Sequence, residues 1–431
     1  MNENDGSIVK AANGVFYTHA SDPGLVRYRT TKRHHALYDT YSASPAPDRQ
    51  LDFNLELGSE YVNGANSYLR FTFSCDSPGA GVLNIASLSS GWTDIVQELL
   101  IIDRNGVTIE RIENAHLIAS QRATMTYVDD QLHHATQAFP ADRDIITGIT
   151  YDVVIPLHFL CGVFATERLL PPQIFSGATV RLTLRDANMA LHTISPLLPD
   201  YASAAGWTYT ITNPMLVCES YVFDNRLHDM ITEEYASTGL VFPFVSYTSQ
   251  TLPLSVEQVT LSHQIRLPFT RAIKLFISTA IAFGDYRDAY VDNDKPDRAT
   301  IAAFSWRAFQ AQIGDNRFPN YVLDSANEAW QLAVSTMNKS MSHGMASTAR
   351  GDFDAGERLL INLDRGVGGV SSGVVINNNY PLILNFTLAA ERIVDSENLA
   401  FDDVVPPRAL QMFIEHQRII AAGGGVTTVA V

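Results

Sequence analysis

The chain has 431 residues, 46% of them hydrophobic and 18% charged, with a formal net charge of −16. That length exceeds what one core fills, about 250 to 300 residues, so two domains are expected, and the apolar fraction excludes wholesale disorder. The negative balance excludes a protein whose main surface grips nucleic acid through its phosphates; any such contact is local and weak.

Only five of the 30 basic residues are lysine. Arginine, a planar fork suited to carboxylates and to interfaces, carries the rest of the positive charge and hints at assembly. The three cysteines, Cys75, Cys161 and Cys218, are odd in number and far apart, so neither a disulfide framework nor a CxxC metal knuckle is available. They read as small buried hydrophobes in a reducing compartment. The opening MNENDGSIVK lacks the cationic and apolar regions of a secretory signal. The longest apolar candidate, Ala272 to Gly284, contains Lys274 and is shorter than the ~20 residues of a membrane helix.

Residues 1–47 hold no sustained period and are broken by Pro23, Pro45 and Pro47, so they read as an N-terminal arm. Inside it Arg27, Arg29, Lys32, Arg33, His34 and His35 form the densest basic patch of the chain, a solvated turn or a contact for an acidic partner. Alternation starts at Leu51. In LDFNLEL, Leu51, Phe53, Leu55 and Leu57 face one way and Asp52, Asn54 and Glu56 the other, the period of a half-buried strand. SYLRFTFSC repeats it with Leu69, Phe71, Phe73 and Cys75. Around Asn105-Gly106 the two runs of QELLIIDRNGVTIERIE predict a hairpin. Residues 114–150 read as a long loop with a short strand or helix.

Asp152 to Phe159 reads as a strand interrupted by Pro156, hence at an edge or bulge. Pro171 and Pro172 bar a helix from running on. Thr179 to Leu184 alternates Val180, Leu182 and Leu184 with Thr179, Arg181 and Thr183, and reads as a sheet edge packed on a core. With ITNPMLVCESYVFD the first half holds about seven or eight strands, the number a jelly roll uses. Asp224 to Tyr235 changes to helical spacing, with Leu227, Met230 or Ile231, and Tyr235 on one face, a cap at Asp224 or Asn225, and Gly239 beyond the end.

The second half repeats these themes. Gln258 to Ile265 and Ala272 to Ser278 are strands, and Asp285 to Asp297 is an acidic loop. Ser325 and Glu328 suggest a capping box for a helix with Ala329, Trp330, Ala333, Val334 and Met337 inward. NYPLILNFTL, from Asn379 to Leu388, stands where ATVRLTL stands in the first half. ALQMFIEHQRII is the last long strand, and strand order alone suggests a duplication of about 200 residues.

Chemical motifs are weak. Gly369 to Gly373, GVSSG, matches a nucleophile elbow, but the strand-like run after it is not the helix that motif needs. None of the 12 histidines forms His-x-His, and the adjacent pairs His34/His35 and His133/His134 would point to opposite faces, so a cupin metal site is not expected. Asp292, Asn293 and Asp294 lack the glycine and closing glutamate of a calcium loop. The acceptor strings at Asn338 and Asn385 should stay bare without a secretory signal. Neither catalysis nor a cofactor is expected.

The segments IPLHFLCGVF and LLPPQIFSGATVRLTL, the strand TNPMLVCESYVFD before a linking helix, FQAQIGDNRFPNYVLDSANEAW from Phe309 to Trp330, and the closing VSSGVVINNNYPLILNFTL and ALQMFIEHQRII together resemble double jelly-roll major capsid proteins of polinton-like viruses, virophages and adintoviruses. The resemblance covers residues 51–431 through the order and spacing of degenerate motifs, and it leaves the arm unmatched. It implies an all-β chain of two consecutive eight-stranded jelly rolls, at 48–223 and 239–431, joined by a linking helix at 224–238, with short loop helices. It further implies a homotrimeric, pseudo-hexagonal capsomer tiling an icosahedral virion shell around double-stranded DNA, with penton and minor capsid proteins as partners. On that reading Arg27, Arg29, Lys32 and Arg33 lie at the capsomer base, facing the interior or a partner. A lectin-like jelly roll, using the acidic loop around Tyr286 and Tyr290 for sugar, is the alternative.

Overall fold

The computed structural model describes residues 30–38, 50–56, 58–76, 85–87, 91–124, 144–166, 168–194, 208–254, 260–281, 306–337, 359–363, 373–388, 408–423 and 426–430. In the first half the strands are β1 (Thr30–Tyr38), β2 (Gln50–Leu55), β3 (Tyr61–Asp76), β4 (Ile85–Ser87), β5 (Val96–Ile102), β6 (Thr108–Glu113), β7 (Asp144–Ile146), β8 (Thr150–Pro156), β9 (Leu169–Leu170), β10 (Ala178–Leu184), β11 (His192–Ile194) and β12 (Thr208–Phe223). The helices between them are α1 (Ala115–Thr124), α2 (Leu157–Leu160), α3 (Pro172–Phe175) and α4 (Ala187–Ala190). After the linking helix α5 (Asn225–Thr238) come β13 (Leu240–Leu254), β14 (Thr260–Ile265), β15 (Phe269–Ile281), β16 (Trp306–Ile313), β17 (Asn316–Leu323), α6 (Ala326–Met337), β18 (Leu359–Asn362), β19 (Val374–Ile376), β20 (Leu382–Leu388), β21 (Arg408–Gly423) and β22 (Val426–Ala430).

Each half is two facing antiparallel sheets. The first pairs β1-β12-β3-β8 with β2-β10-β5-β6, and the second pairs β13-β21-β15-β18 with β14-β20-β16-β17. The two orders map strand for strand: β1 onto β13, β12 onto β21, β3 onto β15 and β8 onto β18, with β2, β10, β5 and β6 onto β14, β20, β16 and β17. Two sheets of four strands in this interleaved order are a jelly roll, so the chain is a double jelly roll, and the suggested duplication is real at the level of topology. β9 and β22 extend one sheet of each half, and β4, β7 and β11 form a separate small sheet.

The cores follow from the alternation. Leu51, Phe53 and Leu55 on β2, Val180, Leu182 and Leu184 on β10, and Leu99 and Ile101 on β5 are buried on one face. Leu382, Leu384 and Phe386 on β20 repeat this with Phe309, Ala311 and Ile313 on β16. Each fully buried leucine or phenylalanine contributes about 1.5 to 3 kcal/mol relative to exposure. The hairpin expected at Asn105-Gly106 joins β5 to β6 with Gly106 at φ +83°, a conformation glycine adopts without a Cβ clash. Asp224 caps α5 by accepting the Arg226 N–H at 3.4 Å, Gly239 ends it at φ +77°, and Leu227 and Ile231 are buried with Tyr61 and Phe223 in a satellite cluster.

Three expectations are corrected. ATVRLTL is not a sheet edge: β10 lies between β2 and β5, hydrogen-bonded to both. The strand expected to reach Phe159 ends at Pro156, which has no N–H and, at φ −63° and ψ 127°, serves as the N-cap of α2. No helix runs on through Pro171 and Pro172, as expected, and Pro172 itself occupies the first position of α3, where its fixed φ suits and its missing N–H costs nothing. The span 1–47, expected as an arm without sustained structure, contains a strand: Thr30–Tyr38 pairs antiparallel with β12 from Thr30↔Phe223 to Tyr38↔Met215 and is an outer strand of the first jelly roll. Such a strand needs only backbone ladder bonds and tolerates charge, which is why TTKRHHALY shows no apolar period.

Candidate assembly interface

The arrangement of the sheets leaves each sandwich with an open side, between β6 and β8 in the first half and between β17 and β18 in the second. The first of these is filled. Glu110, on the outer strand β6, has no exposed surface although its sequence neighbourhood, TIERIE, reads as a surface strand. Its carboxylate accepts the Gly162 N–H at 3.0 Å and the Val163 N–H at 2.9 Å from the turn after α2, and the Ser246 hydroxyl at 2.7 Å from β13. Ser246 belongs to the second jelly roll, so one carboxylate ties together three segments from both halves.

Burial pushes the Glu110 carboxyl above its usual range, against those hydrogen bonds and the charge of Arg418, which favour ionisation. Beside it the backbones touch: a Cβ added to Gly162 would stand 1.5 Å from the Val245 carbonyl oxygen, so only glycine permits this approach. Phe175 of α3 meets Phe242 of β13 edge to face, with ring centroids 5.7 Å apart. One continuous apolar cluster consequently includes core residues of both halves.

The corresponding side of the second jelly roll is a cavity of about 350 Å³. Phe318, Pro319 and Tyr321 of β17, Leu332 of α6 and Ile361 of β18 line it, together with the polar Arg317, Asn320 and Asn362. Tyr321 and Val322 on the same strand are 49% and 53% exposed, an apolar rim left in water. The two sandwiches thus present equivalent edges in opposite states, one sealed and one open.

Of the basic residues singled out in the sequence, Arg27 and Arg29 lie outside the described residues, while Lys32 and Arg33 fall on β1 in register with Tyr221 and Ser220. His133, His134, Tyr286, Tyr290, Asp292, Asn293, Asp294, Asn338, Ser371 and the rest of that loop up to Ser372 also lie outside them. Next to the β1 ladder, Glu219 of β12 is buried and accepts from Asn63 at 3.0 Å, Asn66 at 3.2 Å and Tyr221 at 2.8 Å, and Glu60 accepts from Ser220 at 2.5 Å. Asp52, placed outward by its period, is covered by Arg181, whose fork donates two bonds of 2.8 Å to it.

The three cysteines are buried thiols outside any disulfide, and burial raises the Cys75 thiol to about 11 and the Cys218 thiol to about 12, far from a reactive thiolate. Among the described residues no group of three or more His, Cys, Asp or Glu could hold a metal ion, and no helix is long and apolar enough to cross a membrane. Glu110, Gly162, Arg418 and the β17 cavity residues lie in segments the sequence reading quotes without assigning them a role, and Ser246, Leu332 and Ile361 lie outside those segments. Only the excess of strand-breaking residues near Gly162 signals that place, and nothing local signals Ser246.

The fold places the chain in a structural class, the double jelly roll. No family model and no curated protein matches the sequence. Among solved structures, the chain is similar to a capsid protein of the PBCV-1 virus capsid, with a TM-score of 0.64 at 11% identity, covering 94% of this chain and 97% of that one. It is also similar to the Faustovirus major capsid protein (TM-score 0.58, 8% identity, 96% of each chain) and to the mavirus major capsid protein (TM-score 0.54, 13% identity, 92% of this chain and 90% of that one).

Proposed function

We propose that this chain is a major capsid protein that trimerises into pseudo-hexagonal capsomers and tiles an icosahedral shell around a double-stranded DNA genome. The observation that carries the reading is the pair of eight-stranded jelly rolls in the same strand order, fused into one unit and superimposing along nearly their whole length on viral capsid chains. A chain built this way offers large sheet edges for self-association rather than a cleft with converging catalytic groups. The virion is its location, and penton and minor capsid proteins are its further partners.

Residues 1–29, with Arg27 and Arg29, form the arm that faces the capsid interior or a minor capsid protein. Removing them leaves soluble trimers and impairs particle formation. The deletion stops before Thr30, since beyond it the β1 ladder would be cut. The reading is tested by the native mass of the purified chain, expected at three times the 47.5 kDa of one copy, and by hexagonal rosettes in negative stain. A stable monomer that binds glycans on an array would overturn it in favour of a lectin.

A further inference from the structure

The sheet β13-β21-β15-β18 carries a polar row across all four of its strands. Tyr247 of β13 stands opposite Glu415 of β21, Glu415 opposite Lys274 of β15, and Lys274 opposite Asn362 of β18. Opposite residues of antiparallel strands project to the same face, so these four side chains line up. Lys274 Nζ lies 2.9 Å from Glu415 Oε1, and the Tyr247 hydroxyl donates to Glu415 Oε2 at 3.2 Å. The Glu415 side chain is only 8% exposed and that of Lys274 27%. Next to the Lys274 and Asn362 pair, the Leu363 N–H donates to the Ile273 carbonyl at 2.9 Å. Lys274 and Asn362 are therefore a non-hydrogen-bonded pair, the kind whose side chains stand closest, with about 4.5 Å between Cα atoms.

An amine held between a buried carboxylate and a carboxamide has what an amide exchange requires: a nucleophile, a proton carrier and an acyl group. We propose that Lys274 and Asn362 join in an isopeptide bond, with Glu415 as the proton carrier. Glu415 takes a proton from the Lys274 ammonium, and Lys274 turns to its other neighbour, where the neutral Nζ attacks Asn362 Cγ. The Nζ–Cγ bond forms and the Cγ–Nδ2 bond breaks. Two protons pass in turn from Nζ through Glu415 to the departing nitrogen, which leaves as ammonium; nothing is oxidised or reduced, and Glu415 ends ionised as it began. Asn362 is exposed at the rim of the cavity, which gives the ammonium a way out. On the corresponding strands of the first jelly roll, β3 and β8, Arg70 and Asp152 form an ion pair at 2.8 Å. A guanidinium stays charged and cannot attack a carbonyl, so the first sheet holds a salt bridge where the second holds an amine beside an amide. The fixed register supplies the effective concentration that an otherwise slow exchange needs, and the bond staples β18, the outer strand at the open edge, to its sheet.

The test is mass spectrometry of the full chain, purified and then denatured. The intact chain is lighter than its sequence by one ammonia, and trypsin, unable to cut after a modified lysine, releases a branched peptide that joins Lys274 to Asn362. Lys274→Arg, which keeps a cation beside Glu415, and Asn362→Ala both restore the full mass, and Glu415→Gln does so while leaving both reacting groups in place. A parent of full sequence mass that trypsin cuts after Lys274 overturns the bond without any variant having to fold. A lost ammonia that persists in Lys274→Arg is a cyclised asparagine and overturns it as well. A branched peptide still formed by Glu415→Gln overturns the role of the carboxylate. Native mass is the same with or without the bond, so each of these outcomes leaves the capsid reading where it stands.

Discussion

The two jelly rolls share one strand order but meet their surroundings differently. On the first, the edge between β6 and β8 is closed by β13 of its neighbour, and a glutamate that sequence places on a surface strand ends with no exposure. On the second, the edge between β17 and β18 keeps an apolar cavity and leaves Tyr321 and Val322 half exposed. The same architecture therefore serves as an internal joint once and as a free surface once. The difference lies in what is covalently within reach: the linking helix α5 delivers β13 to the first edge, and among the described residues no segment does that for the second.

The largest effect that this contrast predicts is at Gly162. Gly162→Val forces a side chain into the Val245 backbone and should destabilise the protein by more than about 3 kcal/mol in denaturant unfolding, whereas Asn320→Val on the exposed second edge should stay within about 0.5 kcal/mol. Equal effects at the two positions would erase the distinction between the edges. Glu110→Ala comes next. It leaves two amides and the Ser246 hydroxyl without their acceptor and Arg418 without a nearby counter-charge, at a cost of about 3 kcal/mol.

Glu110→Gln, which keeps the shape, separates charge from packing. Because burial holds the Glu110 carboxyl above its ordinary 4.5, the folded protein retains a proton that the unfolded chain releases. Its contribution to stability is full below the unfolded value and is lost as pH rises through the raised folded value. Urea midpoints measured against pH should show that fall in the parent relative to Glu110→Gln. A difference curve that is flat would mean that the carboxyl titrates normally.

Leu182→Ala on β10 and Leu384→Ala on β20 occupy equivalent central positions and are both fully buried. Each should cost about 3 kcal/mol, and because the apolar cluster runs through both halves, each should lower one common calorimetric transition. Two separated transitions would show that the joint does not couple the barrels. Smallest is the contrast between ion pairs. Arg181→Ala removes two charge-assisted bonds from the buried Asp52 and should cost about 2 kcal/mol. Arg70→Ala, which breaks the exposed pair with Asp152 at 2.8 Å, should leave the melting temperature unchanged.

Much of the fold was legible because its signal is local. LDFNLEL, ATVRLTL and NYPLILNFTL each alternate strictly, and a strand with one face in a core cannot hide that period. α5 showed its spacing, its cap at Asp224 and its stop at Gly239. β1 did not, because an outer strand is held by backbone bonds to β12 and asks nothing of its side chains. Pro171 and Pro172 marked a real break, but nothing in the sequence reading showed that Pro172 also opens α3, since a residue that breaks helices in their interior suits their first position. At the candidate interface legibility failed almost completely, since Glu110 and Glu113 look alike in TIERIE and only one of them is covered.

What the amino-acid sequence determined by itself was the core-facing strands with strict alternation, the facing of their apolar residues and the repetition of the pattern in two halves, all consequences of a period of two written over a few residues. The tertiary structure alone decided which edges meet. Ser246 lies 136 residues beyond Glu110, and the contact between them comes from how one whole sandwich packs on the other. Burial of that kind is a property of the assembled surfaces, so no stretch of sequence records it.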